Sequence, residues 1–594
     1  MALSLMVTTA WADPVEQDLD GKTVILHTND VHGEIARYAK VAALKAELKA
    51  RGADVILVDA GDYSQGKTYV SVTKGADAVT MMNAAGYDVV TLGNHEFDYG
   101  YAQLKENMSK AKFKVVCADV FNEDGTPIFD ANYTYTTKSG VKVGFFGMET
   151  PETQTKANPA LIKGLTFATG DAFTKAAADQ VAALKDADVV ICLAHLGVDA
   201  ESKPYTSYDL YSAVKGIDFI IDGHSHTVMD KGANGEPIQS TGTAFENIGV
   251  IVIDDATKKI ESNSLFAVDE NTAKDETVAA AAKVIVDRVD AEYGAVFAKS
   301  EVELNGAKAP NGNRDGETNN GDLITDAMVW KVLQNKDGLT VDTDHVVAIT
   351  NGGGIRAPIK VGDITKKDIN TVLPFGNTVA VVYVTGAQLL EALEASTYSL
   401  PVGGFPQVSG INFTIDTAKE FDAGDLYPGS TYHAPKSINR VTIDSINGKA
   451  FKADDTYAVV TNNFCAAGGD TYYAFAAATA QFDTGVPLDE AMMEYITTEL
   501  KGVIGAAYAA PQGRITIKTA PVVEPQPEPQ PEPQPEPTPA PTGDTYTVVA
   551  GDCLWNIGYK LYGTGTLYTK LAEANKIADP YIIYIGQILT VPAK

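Results

Sequence analysis

The sequence predicts an α/β protein built from several domains, and three observations carry that expectation. Short apolar runs alternate with helical stretches through the first half, the pattern of sheets covered by helices. At 594 residues the chain exceeds what one hydrophobic core supports. Hydrophobic residues make up 45% and charged residues 21%, ordinary globular usage, so most of the chain is expected to fold.

The elements follow in order. Residues 1–20 hold a short apolar stretch ending in Ala10-Trp11-Ala12, the small-x-small pattern of a signal-peptidase site, without a basic n-region. They read as a truncated signal peptide and leader, which predicts export. Residues 21–275 form the first domain, with strands expected at 23–26, 55–58, 89–92, 143–146, 189–193 and 219–221 and helices at 38–50 and 173–185, among others. Residues 276–299 are alanine-rich with a helical pattern and read as a connecting helix. Residues 300–519 read as a second α/β or α+β domain. Residues 520–544 form a linker whose Glu-Pro-Gln-Pro repeats, Pro521–Pro541, favour extended polyproline II, a stiff acidic spacer that at ~3.1 Å per residue reaches on the order of 65 Å. Residues 545–594 form a small closing module. No other apolar run approaches the ~20 residues of a membrane-spanning helix.

The formal net charge of −30 repels polyanions and excludes a nucleic-acid polymer as partner. A small anionic substrate remains compatible if bound metal ions supply local positive charge. The four cysteines lie far apart, without a metal-finger or disulfide framework, and three of them follow or sit within apolar runs, which reads as small buried hydrophobes.

Of the eight histidines, five stand directly after expected strands beside aspartate, asparagine or glycine. The segments are His27-Thr-Asn-Asp-Val-His-Gly33, Asp59-Ala-Gly-Asp62, Gly93-Asn-His-Glu-Phe-Asp98, Ala194-His-Leu-Gly197 and Gly223-His-Ser-His226. Active groups in α/β sheets collect outside the carboxyl ends of strands, so all five should share one rim. Asp30, His32, Asp62, Asn94, His195, His224 and His226 offer oxygen and imidazole nitrogen without thiolate. Such donors favour zinc or manganese, with iron or cobalt also compatible. Seven ligands exceed one ion and fit two divalent metal ions. Asp62 then bridges an ion held by Asp30, His32 and His226 to one held by Asn94, His195 and His224. Such a pair activates water, so metal-bound hydroxide is the expected nucleophile. His95 is left without a ligand role and Asp98 follows three positions on, where it can orient the ring. We assign His95 to transition-state stabilisation or proton donation. His27 reads as a buried strand residue.

In the second domain, Arg314 and Arg356 adjoin flexible or glycine-rich backbone and suit phosphate binding. Phe375 and Phe464 sit among turn residues, where they either pack in the core or sandwich a flat base, and Asp470 could accept from ribose hydroxyls.

Together, HTNDVHG, DAGD, GNHEFD, AHLG and GHSH resemble the bacterial 5′-nucleotidase and UDP-sugar hydrolase family of calcineurin-like metallophosphoesterases, over residues 22–518. The resemblance implies a calcineurin-like β-sandwich flanked by helices, with these ligands and the His95–Asp98 pair in catalysis. His226 stands where several nucleotidases have glutamine or asparagine, a departure shared with the wider phosphoesterases. The family's R-x-x-x-x-N, N-x-G-G-I-R, P-F-x-N and F-x-x-x-G-G-D motifs also recur. They imply that Arg314 and Arg356 grip phosphate, that Phe375 and Phe464 stack on the base and that Asp470 holds ribose. Asn351, Asn377 and Gly410 are implied to line the pocket. A nucleotide is the implied substrate, and domain rotation near 276–299 is implied to complete the site.

Residues 545–594, with Tyr546-Thr-Val-Val and Gln587-Ile-Leu-Thr-Val-Pro592, resemble a LysM domain in which Cys553 replaces the usual threonine. This implies a βααβ fold that binds N-acetylglucosamine glycans, chiefly peptidoglycan, and a secreted, wall-associated protein. Alternative substrates are 2′,3′-cyclic nucleotides, UDP-sugars or general phosphomonoesters. A wall-bound nucleotide receptor without catalysis is the alternative of another class, and His95 with Asp98 argues against it.

Overall fold

The structure is a computed structural model that describes residues 19–478, 480–518, 545–549, 552–562, 567–577, 582–584 and 586–592. Nearly all of the expected leader 1–20 and the whole spacer 520–544 lie outside the described residues. The chain divides into two compact units, 1–520 and 521–594.

The first half of unit one holds β1 (Lys22–Thr28), β2 (Asp54–Asp59), β3 (Val89–Val90), β4 (Lys114–Val115), β5 (Asn132–Thr136), β6 (Lys142–Glu149), β7 (Val189–His195), β8 (Phe219–Ile221), β9 (Val228–Met229), β10 (Ile238–Thr241), β11 (Asn247–Asp254) and β12 (Lys259–Ala267). They form two six-stranded sheets, ordered β12-β11-β1-β2-β3-β4 and β9-β10-β8-β7-β6-β5. Successive side chains explain why the central strands read as continuous apolar runs rather than alternating ones. In β2, Ile56 and Val58 enter the core between the sheets while Val55 and Leu57 face the helical layer. In β7, Val189, Ile191 and Leu193 point inward while Val190, Cys192 and Ala194 meet the helices on the other side. Both faces of these central strands are therefore buried, while the edge strands β5 and β12 stay partly exposed, and the expected α/β sandwich forms.

The expected connecting helix is shorter than 276–299 and does more than connect. It spans Glu276–Tyr293, and Val296–Ser300 is a strand that pairs with Gly362–Thr365 and Val503–Ile504. Gly294 ends the helix, and the Val296-Phe297 pair favours strand. Val278, Ala282, Ile285 and Val289 recur at helical spacing and pack into the same core as the helices Tyr38–Ala50 and Ala76–Ala85.

In the second half, a five-stranded sheet runs in the order Pro406–Ser409, Val346–Asn351, Thr456–Asn462, Thr378–Thr385, Ala480–Pro487. Only Val346–Asn351 and Thr456–Asn462 pair in parallel within it, so their carboxyl ends open on the same edge. Helices Asn319–Leu333 and Leu488–Thr498 cover one face and helix Gly386–Ala395 the other.

Unit two pairs strand Thr545–Thr547 antiparallel to Ile588–Thr590, with helices Leu554–Tyr562 and Tyr568–Ala574 between them, the expected βααβ order. Val548, Leu554, Ile557, Leu571 and Leu589 form its core. Cys117, Cys192 and Cys465 are buried as expected, whereas Cys553 is exposed. Among the described residues no helix is long and apolar enough to cross a membrane.

Candidate active site

The seven expected ligand residues stand at the carboxyl ends of β1, β2, β3, β7 and β8, and the structure brings them together. His226 Nε2 lies 3.4 Å from Asp30 Oδ1 and 3.1 Å from His32 Nε2. Asp62 Oδ2 lies 3.8 Å from His32 Nε2 and 3.0 Å from His195 Nε2, so its carboxylate stands between the two groups. His224 Nδ1 faces Asn94 Oδ1 at 2.9 Å. Asp30, Asp62 and His195 are buried.

Local backbone explains the convergence. Asp30, His32, Asp62, His224 and His226 all adopt positive φ, between +46° and +72°, which turns each side chain inward from a tight bend after its strand. Two glycines admit the ligands. A Cβ on Gly93 would lie 2.3 Å from Asp62 Oδ1 and 2.8 Å from His195 Cε1, and one on Gly223 would lie 2.8 Å from His195 Nδ1. Buried carboxylates brace the same turns. Glu96 accepts backbone N–H groups from Asp62 at 2.8 Å, Tyr63 at 3.0 Å, Ser64 at 2.9 Å and Gly93 at 2.7 Å. Asp222 accepts from Leu196 and Gly197, both at 3.1 Å.

The donor chemistry fits a cation. His195 Nδ1 lies 2.7 Å from the Ala60 carbonyl and must donate to it. In the neutral ring its Nε2 is a lone pair facing Asp62 Oδ2 at 3.0 Å, buried without a hydrogen-bond partner; burial would lower the imidazole, but Asp62 and Asp30 outweigh it and hold it well above its usual value, so without a cation there a proton fills the same place. His32 Nδ1 likewise faces the Gln65 carbonyl at 3.3 Å, leaving Nε2 directed at His226 Nε2. Acceptors facing acceptors in a buried site repel unless a positive charge lies between them. These residues could hold divalent metal, as the fold implies.

His95 Nδ1 pairs with Asp98 Oδ2 at 2.7 Å, the geometry expected of the pair. Burial, outweighing the attraction of Asp62, lowers the His95 imidazole to about 3, with Arg356 adding to the effect, and burial pushes the Asp98 carboxyl well up. The ring of Phe375 lies 5.6 Å from that of His95, and the Arg356 guanidinium lies 5.8 Å from the Phe375 centroid. Burial and the neighbouring Arg314 lower Arg356 to about 10, still charged at neutral pH.

One cleft joins these groups across the two halves, lined by Asp62, Asn94, His95, Asp98, His224 and His226 from one side and by Arg314, Asn351, Arg356, Phe375, Asn377, Phe464 and Asp470 from the other. The parallel strands Val346–Asn351 and Thr456–Asn462 set the second group. Asn351 ends the first, Phe464 follows the second, and Asn351 Nδ2 donates to Asp470 Oδ2 at 2.8 Å. Phe464 is buried, its ring packed over Gly469, while Phe375 is half-buried. Gly410 is not among the residues lining the cleft. It turns the chain between Pro406–Ser409 and Ile411–Asp416 at φ +76°, and Gly403 lines the cleft instead. His27 is buried in β1, where Nε2 meets Gln239 Oε1 at 2.7 Å.

Sequence reasoning missed Lys156, Asp199, Glu201 and Lys308, which also line the cleft. Lys156 pairs with Glu201 at 2.7 Å, and Tyr432 of the second half donates to Glu201 at 3.3 Å. Burial would raise Glu201, but Lys156 outweighs it and holds the carboxyl at about 2. No motif marks these residues, which come from three segments far apart in the chain, at 156, 199–201 and 308. Glu96 and Asp222 did carry a signal, since each lies inside or beside a ligand motif.

The family model for calcineurin-like phosphoesterase matches residues 23–228, that for the 5′-nucleotidase C-terminal domain residues 296–477 and that for the LysM domain residues 546–592. The chain is 32% identical over 559 residues to the trifunctional nucleotide phosphoesterase protein YfkN of Bacillus subtilis, covering 85% of this chain and 35% of the relative. It thus spans about a third of that protein's length. The 5′-nucleotidase of Vibrio cholerae is 27% identical over 560 residues, covering 86% of this chain and 96% of the relative. Among solved structures, the 5′-nucleotidase precursor from Thermus thermophilus is similar with a TM-score of 0.69 and 28% identity, covering 84% of this chain and 100% of that one.

Proposed function

The chain belongs to the calcineurin-like metallophosphoesterases that carry a 5′-nucleotidase C-terminal domain, and from that premise we propose that it releases phosphate from nucleoside 5′-monophosphates at a dinuclear metal centre. It is a metal-dependent phosphoric ester hydrolase; the substrate and the number of ions are the proposal. The observation that carries it is the convergence of His95, Phe375 and Arg356 over the ligand cluster. An acid–base group, a flat ring and a phosphate-gripping cation there meet in one cleft.

In this reading Asp30, His32 and His226 would hold one ion and Asn94, His195 and His224 the other, with Asp62 shared between them. Two divalent ions there, zinc or manganese by donor type, would acidify a water between them and neutralise charge on the phosphate oxygens. Arg314 and Arg356 orient the phosphate through forked hydrogen bonds. His95, held by Asp98, stabilises the transition state or gives a proton to the departing ribose oxygen, the second only once the charge of bound phosphate has raised its imidazole from about 3. Phe375 and Phe464 bracket the base, Asp470 accepts from ribose hydroxyls, and Asn351 and Asn377 line the cleft. Rotation of domain 300–519 against 21–275 about the segment 276–299 admits substrate and expels product. The leader 1–20 exports the protein, and the LysM module, on its spacer 520–544, holds it to peptidoglycan at the cell surface.

Hydrolysis of AMP, 2′,3′-cyclic AMP, UDP-glucose and p-nitrophenyl phosphate, read respectively as inorganic phosphate, ring-opened monophosphate, UMP and p-nitrophenol, with and without chelator, tests the reading. We expect chelator-sensitive release that is strongest with AMP. His95→Ala should lower kcat by ~10²–10⁴-fold while metal content stays unchanged. Phe375→Ala should cost about 1–3 kcal/mol of AMP binding and leave a ring-free ester such as glycerol phosphate unaffected. Equal activity on all esters would sink the nucleoside clamp, and absence of activity in metal-loaded protein would favour a receptor.

A further inference from the structure

The structure assigns Glu152 as the positioning residue that turns the His224 ring so that Nδ1 faces the metal cluster. Both ring nitrogens of His224 are engaged, and by different kinds of group. Nε2 lies 2.7 Å from Glu152 Oε2, while Nδ1 faces Asn94 Oδ1 at 2.9 Å on the cluster side. A carboxylate only accepts, so the proton sits on Nε2 and Nδ1 presents its lone pair beside Asn94, Asp62 and His195. Glu152 thereby selects the tautomer as well as the ring orientation.

The surroundings hold Glu152 for this task. Its side chain is buried at 2% exposure, and Ser202 Oγ donates to the same Oε2 at 3.2 Å. Its backbone carbonyl accepts from Thr155 at 2.9 Å and Lys156 at 2.7 Å, which anchors the residue at the head of the one-turn helix Thr153–Lys156. That helix is fixed at its far end by the Lys156–Glu201 pair and by the Asp470 N–H, which donates to the Thr155 carbonyl at 2.6 Å. Glu152 itself does not line the cleft, so it acts through His224 and not on substrate. The other imidazoles with backbone partners, His195 and His32, face carbonyls, so His224 alone of these three depends on a side chain for its orientation.

The assignment rests on the metal reading of the cluster, and its test separates the two. Zinc and manganese binding by wild type, Glu152→Gln and Glu152→Leu would be measured by competition with a chromogenic chelator, alongside the melting temperature of each metal-free protein. We expect Glu152→Leu to bind one ion ~10–100-fold more weakly. Glu152→Gln, which keeps an accepting oxygen, should recover most of that affinity, and the metal-free melting temperatures should agree. Wild-type affinity in Glu152→Leu would overturn the assignment. So would a loss that merely follows a lowered metal-free melting temperature. If wild type itself bound neither ion, both the assignment and the metal reading would fall, whereas wild-type binding with an unaffected leucine variant would remove the assignment alone.

Discussion

Six residues of the cleft and its metal cluster, Asp30, His32, Asp62, His224, His226 and Asp470, adopt the left-handed backbone region, where side chains other than glycine cost on the order of 1–3 kcal/mol each. Neighbouring hydrogen bonds offset that strain. Glu96 holds the Asp62 turn, Asp30 accepts the His224 N–H at 3.0 Å, and Asp62 Oδ1 accepts the His95 N–H at 2.9 Å. Gly93 is one of the points where this packing admits no addition. We therefore expect Gly93→Ala to destabilise by about 1–3 kcal/mol, because its Cβ would press on Asp62 and His195. Metal content should fall with it, and urea unfolding together with elemental analysis would check both. A variant that kept stability and metal would show that the two strand ends approach less closely than described.

At the scale of elements, the helix Glu276–Tyr293 shows why a connector can be essential to a domain. The Asp275 side chain caps it, accepting from Thr277 N at 2.9 Å and Val278 N at 3.0 Å, and Arg288 pairs with Asp77 of the first domain. Lys367 of the second half reaches Asp290 on the same helix at 2.7 Å. Asp275→Ala should lower stability by about 1 kcal/mol through two unsatisfied helix N–H groups, read as a shift in the urea midpoint. Little change in AMP hydrolysis below that midpoint is expected, since the cap is far from the ligand turns in sequence and makes no contact with them among the described hydrogen bonds.

At the scale of the whole molecule, the division at 520 separates chemistry from the closing module. A chain ending at Lys518 should keep phosphoesterase activity against AMP and lose co-sedimentation with purified peptidoglycan. Retained sedimentation would move the wall contact to the catalytic unit. Much of this organisation was legible beforehand. The six strands expected in the first domain all form, and the helix expected at 38–50 spans Tyr38–Ala50, because a strand or helix buried on fixed faces writes its period into consecutive residues. The ligand turns were legible for a related reason. Each packs its histidine, aspartate or asparagine with a glycine within a few positions of a strand end, so the chemistry and the bend are coded together.

The sequence by itself thus determined the α/β class, the set of metal-ligand candidates and the closeness of His95 to Asp98, all of which depend on residues close in the chain. Only the tertiary structure decided which groups from distant loops meet. It paired Glu152 with His224, set Lys156 against Glu201 and Tyr432, and put Gly403 rather than Gly410 at the cleft. It also drew the connecting helix into the core of the first domain. The physical reason is that hydrogen bonds and packing between segments far apart in sequence leave no periodic or local trace. They become visible only when the fold sets the distances.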